Sequence, residues 1–517
     1  MFLGVDVGGT NTDAVMMDGR QLHAAAKVPT TEDVTTGIVA AVTELLKQGV
    51  DSAQVDSVMV GTTHFTNALL ECRDLSPTGV IRLALPATQL LPPLVDWPDR
   101  LRDAIGGFAC MVGGGNEFDG REISSLDRKG IRDAVRDFRT RGVTSIAVSG
   151  VFSPVDPAHE AEAAQLIREV APELRISLSH ENGRMGLLER ENAAVLNACL
   201  GDVAEATVGG IEDALKRLGI SAPLFMSQND GTLMDTTFAS RHPVLTVSSG
   251  PTNSMRGAAF LSGVTDGIVV DIGGTSTDVG ALVKGFPRES AVAVDIAGVR
   301  TNFRTPDMVS IALGGGTVVK SDPWSIGPDS VGYRLVEEAR IFGGKTLTTT
   351  DIAVASGRAR LGDWRLLAGI TRPVVEWSIA EIEERAESAV DRVKISQDDV
   401  PVVLVGGGSI LLGDRLKGSS QLLRPENAGV ANAIGAAIAQ VGGQVERVYS
   451  LESGGRDEAI ADCTAAAIQQ AVAAGADPAS IEVVDVEEVP LTYVPSNATR
   501  VRVKAVGDIA AGRLQRN

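Results

Sequence analysis

The chain predicts an α/β protein of two related lobes followed by a small C-terminal α/β unit. Three observations predict it. The octamer DVGGTNTD at residues 6–13 returns as DIGGTSTD at 271–278. Each copy is entered by a short apolar run, Phe2 to Val5 or Ile268 to Val270, and left by another, AVMM or VGALV, which makes a strand, turn, strand unit twice over. The 517 residues are 44% hydrophobic but hold only 3 Tyr, 4 Trp and 12 Phe, so the core rests on Val, Ile, Leu and Ala, as helix-covered sheets require.

The likeness of the halves continues downstream. PLFMSQNDG at 223–231 parallels PVVLVGGGS at 401–409, each an apolar strand entering a small polar loop. SGPTNSMRGAA ends at Ala259 and ENAGVANAIGAA at Ala437; Ser227 to Gly257 spans 30 residues and Gly406 to Gly435 spans 29. The first lobe is therefore placed at 1–265 and the second at 266–442, with an insertion in the first around 71–125, where ATQLLPPLVDWPD and MVGGGNEFDG interrupt the alternation. Between them, VDSVMVGTT reads as a strand into a loop, IRDAVRDFRTRG as a helix ended by Gly142, and VTSIAVSGVF as the next strand. The C-terminal unit at 443–517 reads as strand 445–450, helix 455–474 and strands near 480–488 and 498–505.

A net charge of -19 argues against nucleic-acid or anionic-membrane surfaces, which need clustered Lys and Arg. Cys72, Cys110, Cys199 and Cys463 are too dispersed for a zinc or iron-sulfur motif. No window approaches the roughly 18 apolar residues of a membrane span, and no secretory signal opens the chain. A cytoplasmic setting is the expectation.

Any phosphate must then be held largely by backbone. The glycines of each octamer admit a tight turn, and its successive N–H groups form an anion nest. Gly8, Gly9, Thr10, Asn11 and Thr12, with Gly273, Gly274, Thr275, Ser276 and Thr277, are the expected phosphate-binding residues. A carboxylate beside phosphate needs a cation between them, so Asp6 and Asp271 at strand ends are expected to hold Mg²⁺ through water. A lone octamer could be a plain glycine hairpin; two on matched strands argue for a nucleotide polyphosphate gripped from both sides. Gly406, Gly407, Gly408 and Ser409 are expected at the purine and ribose, and Gly435 at a close helix crossing between the lobes. The GGG run at 314–316 lines the cleft or is a plain turn.

Taken together, these elements resemble the acetate and sugar kinase, Hsp70 and actin superfamily. Within it the nearer likeness is to the hydantoinase/oxoprolinase family, the ATP-dependent A subunit that opens lactam and imide rings. It is carried by DVGGTNTD, GTTHFTNALLE at 61–71, LSHENGRMGLLERENAAVLNACL at 178–200, FMSQNDGTLM, SSGP at 248–251 and DIGGTSTDVG, and covers about residues 1–440. Departures are the short C-terminal appendage, NGRMGLLERE where a Pro- and Tyr-containing run precedes the Arg, and YRLVEEARIFGG at 333–344 where the family reads P-G-P-A-C-Y-G.

The resemblance implies two RNase H-like lobes around an ATP cleft, the actin-like ATPase fold. It implies phosphorylation of the amide oxygen of a hydantoin, 5-oxoproline or lactam, with ATP and Mg²⁺ as cofactors and ring opening by water. A B-type subunit, another neighbouring protein or a second copy of the chain are the candidate partners. Asp6, Asp271 and His64 are the expected catalytic residues, with Thr62, Thr63, Asn67 and Arg190 on the substrate side. His64 reads equally as a general acid/base and as a structural hydrogen-bonder. Glu189, Arg190 and Asn192 read more readily as a solvated face or a strand-helix anchor, and His180 with Glu181 as a surface turn for want of a third metal ligand. Ser249 lacks a nucleophile elbow. A small-molecule kinase and an ATP-driven activator of another enzyme are the alternatives the fold equally supports.

Overall fold

The computed structural model describes residues 1–31, 34–290, 293–303, 305–451, 455–491 and 498–510. Parts of the expected C-terminal unit, 452–454, 492–497 and 511–517, lie outside them.

β1 (Phe2–Val7) and β2 (Asn11–Asp18) form an antiparallel hairpin that sets Asp6 opposite Asp13. β3 (Gln21–Pro29) continues beyond β2, and β4 (Ser57–Thr62) runs parallel to β1 on the other side. Every residue of β4 is buried, as a central strand covered on both faces must be. The chain then builds a separate four-stranded parallel sheet from β5 (Thr78–Leu85), β6 (Phe108–Gly113), β7 (Ser145–Gly150) and β8 (Arg175–Leu178), in the order β6-β5-β7-β8. Ile131 and Val135 of the helix Arg128–Thr140 pack there on Ile81, Ile146 and Val148. The added layer thus runs well past 125, and VTSIAVSGVF supplies its β7 and not a strand of the lobe sheet. A parallel strand buried on both faces reads the same whichever sheet it joins.

β9 (Leu224–Ser227) returns beside β4, and β10 (Leu233–Asp235) turns back on β9. The second lobe repeats the plan. β11 (Gly267–Ile272) and β12 (Thr277–Val283) form a hairpin with Asp271 opposite Asp278; β13 (Val400–Val405) lies parallel to β11, and β14 (Ser419–Leu423) parallel to β13. β13 therefore holds the place of β4, beside the octamer strand, although its sequence likeness is to β9. Both are short apolar runs into polar loops, and neighbours along a sheet are not written in such a run.

The helices Ser249–Ser262 and Ala431–Ala437 close the two lobes and cross each other. They approach backbone to backbone: a Cβ on Gly257 would lie 1.8 Å from the Ala431 carbonyl oxygen, and one on Gly435 1.9 Å from that of Asn253. The crossing expected at Gly435 is thus matched by Gly257, the residue that the 30- and 29-residue spacings pair with it.

The C-terminal unit comprises β15 (Val441–Ser450), the helix Arg456–Ala473, β16 (Glu482–Pro490) and β17 (Ala498–Gly507). It follows the second lobe in sequence but joins the sheet of the first, where Leu233 of β10 pairs with Val441 of β15. The result is a nine-stranded sheet in the order β16-β17-β15-β10-β9-β4-β1-β2-β3. Ala459, Cys463 and Ala467 seat the helix on Val501, Val503 and Ala505. Among the described residues no single helix is long and apolar enough to cross a membrane.

Candidate active site

The octamer turns face each other across a cleft of about 370 Å³ between the lobes. Each has the same local closure, Gly8 N donating to Asn11 O at 3.1 Å and Gly273 N to Ser276 O at 2.9 Å. The loops also touch: a Cβ on Gly274 would stand 2.6 Å from Thr10 Oγ1. The GGG run props the second loop from beneath, since Gly315 N donates to Gly273 O at 3.0 Å and Gly316 N to Gly274 O at 2.7 Å, with Gly315 reaching the cleft wall. Gly406, at φ +82°, passes so near Asp271 that a Cβ would lie 2.3 Å from its carboxylate oxygen. Only glycine permits that approach without strain.

Carboxylates dominate the cleft. Asp6, Asp13, Asp271 and Asp278 all line it, and the ammonium of Lys27 is paired with Asp13. Asp6 is 3% exposed and accepts from Asn253 Nδ2 and Asn432 Nδ2, each at 3.1 Å. Asn432 Nδ2 also donates to Asp13 at 2.9 Å. Each connecting helix thus contributes one amide to Asp6. Burial pushes the Asp6 carboxyl up to about 6, against the two amides and aided by Asp13 and Asp271. Burial likewise raises Asp271, against a hydrogen bond from Ser254 and the charge of Lys27, and pushes Asp278 up to about 6. The terminal aspartates of the octamers, Asp13 and Asp278, were not among the expected site residues. Their signal was the repeat itself, which carries an Asp at both ends, and the hairpin register brings those ends together.

Of the residues expected on sequence grounds, Gly8, Gly9, Thr10, Asn11, Gly273, Gly274, Thr275 and Ser276 line the cleft with Asp6, Asp271, Thr63 and Gly406, Gly407 and Gly408. Thr12 and Thr277 face inward: Thr12 Oγ1 is 3.2 Å from Thr30 Oγ1, and Thr277 gives its hydroxyl to Leu313 O. Ser409 lies in the turn after the glycines, off the cleft wall, with its N–H on Gly406 O at 3.2 Å. Thr62 is buried and accepts from His64 N at 3.1 Å.

His64 and Asn67 line a neighbouring cavity of about 590 Å³ with Glu71 and Tyr333. Gly8, Gly9 and Thr63 are walls of both cavities, so the first loop stands between them. Thr63 is pinned there, its N–H and hydroxyl both on Val7 O at 3.2 and 3.3 Å. Arg190 lies elsewhere. It is 1% exposed and gives Nε to Ser179 Oγ at 3.0 Å and Nη2 to Gly150 O at 2.5 Å, which ties its helix to β7. Asn192 likewise accepts from Trp97 Nε1 at 2.7 Å.

Comparison with known proteins agrees with this architecture. Residues 2–171 match the hydantoinase/oxoprolinase N-terminal region, and residues 190–365 match hydantoinase/oxoprolinase. The chain is 26% identical to caprolactamase subunit alpha of Pseudomonas jessenii, over 87% of this chain and 68% of that protein. It is 28% identical to the acetophenone carboxylase gamma subunit of Aromatoleum aromaticum, over 69% of this chain and 53% of that protein. The crystal structure of the ATP-dependent caprolactamase from Pseudomonas jessenii superposes with a TM-score of 0.76 at 21% identity, covering 99% of this chain and 88% of that one. With two halves of one family's pattern matched in order along its length, the chain belongs to the hydantoinase/oxoprolinase family.

Proposed function

We propose that the chain uses ATP to open a cyclic amide, by transferring the γ-phosphoryl group to the amide oxygen so that water can attack the activated carbon. The observation that carries this reading is the shared wall: Gly8, Gly9 and Thr63 separate a cleft built for polyphosphate from a cavity that presents His64 and Asn67. A phosphate in the first and an amide in the second would meet at the loop. Phosphoryl transfer asks chiefly for positioning and charge neutralisation.

The donor set fits Mg²⁺. Four carboxylates and one lysine line the cleft, no three of the carboxylates among the described residues stand close enough to enclose an ion directly, and the acidity of Asp6 and Asp271 is suppressed by burial and by negative neighbours, an imbalance that a divalent cation bridged by water relieves. Asp6 and Asp271 would hold the ion through water, and it would neutralise phosphate charge. Gly406, Gly407 and Gly408 would lie along the nucleoside. His64 and Asn67 would orient the amide, with His64 placed to move a proton.

A partner subunit belongs to the proposal, because the names of the caprolactamase and acetophenone carboxylase relatives are those of subunits and both relatives are longer than the stretch matched here. The deciding experiment incubates the chain, alone and with its co-expressed gene neighbour, with ATP, Mg²⁺ and a panel of hydantoins, 5-oxoproline and lactams. Phosphate release matched by ring-opened product supports the reading. A stable phosphorylated product would identify a kinase, and no turnover in any combination would sink the amide reading.

A further inference from the structure

Among the described residues that line the cleft, Lys27 is the one cationic side chain, set against Asp6, Asp13, Asp271 and Asp278. No expectation from the sequence fell on it. Its strand, β3, is the outer edge of the nine-stranded sheet, where a lysine commonly does no more than discourage the addition of another strand. Lys27 instead turns inward across β2.

The hairpin register sets Lys27 opposite Asp13, and its ammonium is paired with Asp13 Oδ1. Asp13 is buried, whereas the lysine side chain is 37% exposed, which puts its head at the cleft wall and leaves its stem room to swing. Asp13 does not depend on the ammonium alone. Its Oδ2 accepts from Asn432 Nδ2 at 2.9 Å, and the same amide nitrogen donates to Asp6 at 3.1 Å, so Lys27 stands one carboxylate and one amide away from Asp6. The second octamer lies within its field as well: burial raises the Asp271 carboxyl, and the charge of Lys27 acts against that rise.

A triphosphate entering this cleft meets four carboxylates. Mg²⁺ held through water and the N–H groups of the two loops would offset much of that repulsion, but loops and ion are fixed while the γ-phosphoryl group moves. An ammonium on a flexible four-carbon stem, with three rotatable donors, can follow it. The strand that carries Lys27 belongs to the first lobe, and the first loop is the wall shared with the His64 cavity, so the phosphate nearest that wall is the one in transit.

We propose that Lys27 binds the transferred phosphoryl group: with ATP in the cleft its ammonium leaves Asp13 for a γ-phosphate oxygen and neutralises charge there during transfer. The bond from the γ phosphorus to its bridging oxygen breaks with the electron pair passing to ADP, the new bond forms to the amide oxygen, and Lys27 gives up no proton. Asp13 keeps the amide of Asn432. Lys27 takes this role only if the cleft is the nucleotide site proposed above.

Calorimetry on the full chain with Mg²⁺, comparing ADP with the β,γ-imido analogue of ATP, tests it. Lys27→Met keeps the stem and removes the charge; ADP is expected to bind within about three-fold of the parent and the analogue at least about ten-fold more weakly, the effect of losing one charge-assisted contact. Lys27→Arg is expected to recover part of that loss. Lys27→Met combined with Asp13→Asn removes both charges of the pair; it is expected to restore any melting temperature lost in Lys27→Met while the ratio of analogue to ADP affinity stays low. An unchanged ratio in Lys27→Met, whether both nucleotides weaken or neither does, or a ratio restored by Asp13→Asn overturns the proposal and makes Lys27 a structural partner of Asp13. A parent that binds neither nucleotide overturns the cleft assignment with it. Because no turnover enters the readout, failure of the ring-opening panel leaves the role of Lys27 standing.

Discussion

Gly257 and Gly435 meet where the two connecting helices cross: a methyl group on Gly435 would sit 2.8 Å from the Gly257 amide nitrogen. This contact sets the separation of the lobes, because the same two helices carry Asn253 and Asn432, the amides that hold Asp6. Gly435→Ala is expected to lower stability by about 1–3 kcal/mol or more through overpacking against backbone that cannot yield. Urea unfolding would show it, and an unchanged midpoint would mean that the helices can part at no cost.

Asp271→Ala removes a cleft carboxylate beside the second loop. Binding of ATP is expected to require Mg²⁺ in the parent and to be lost in the variant, as read by calorimetry with and without a chelator. Unchanged nucleotide affinity would remove the assignment of the cleft.

The buried Asp6 carboxyl implies a pH dependence of the metal-free protein. Its folded value of about 6 exceeds the unfolded 3.8, so the native state holds the proton more tightly. Its contribution to stability is complete below about 4 and is lost as pH rises through 6, a swing of at most about 3 kcal/mol. The Asp6→Asn variant is expected to show a flatter profile of melting temperature between pH 4 and 7. A parent whose Asp6 contribution grew with pH across that window would contradict the assignment.

Arg190 is a structural residue by its contacts. Arg190→Ala leaves Gly150 O and the Ser179 and Glu160 group short of a buried donor, and is expected to cost about 3–5 kcal/mol. Nucleotide affinity of the fraction that remains folded should not change. A selective loss of ATP binding at normal stability would return Arg190 to the active site.

For His64, the expected outcome of substitution by Asn is ATP affinity within two-fold of the parent but turnover of cyclic amide lower by about 10²–10⁴, the usual weight of a general acid/base. An equal fall in melting temperature with turnover preserved would make it a structural hydrogen-bonder.

The repeat made the fold and half of the site legible. DVGGTNTD and DIGGTSTD are local objects: their glycines, their hairpin and the Asp at each end are properties of eight consecutive residues, so the two loops could be read without knowing what lay between them. The spacing that pairs Gly257 with Gly435 was also legible, because helix length is counted along the chain. Thr12 and Thr277 show the limit. In a strand successive side chains face opposite ways, and each of these hydroxyls turned inward to another partner.

What only the tertiary structure decided is adjacency between distant segments. VTSIAVSGVF left the lobe sheet for an inserted layer, residues 441–450 crossed back to the first lobe, and His180 acquired the buried Glu160 that orients it. None of these follows from composition or periodicity, because an apolar strand fits any sheet edge of matching polarity and a histidine in a turn is blank until its neighbour is known. The sequence by itself determined the two octamer turns and the crossing helices, whose geometry is local; the choice of sheet partners and the environment of each buried charge belonged to packing, where long-range contacts compete for the same surfaces.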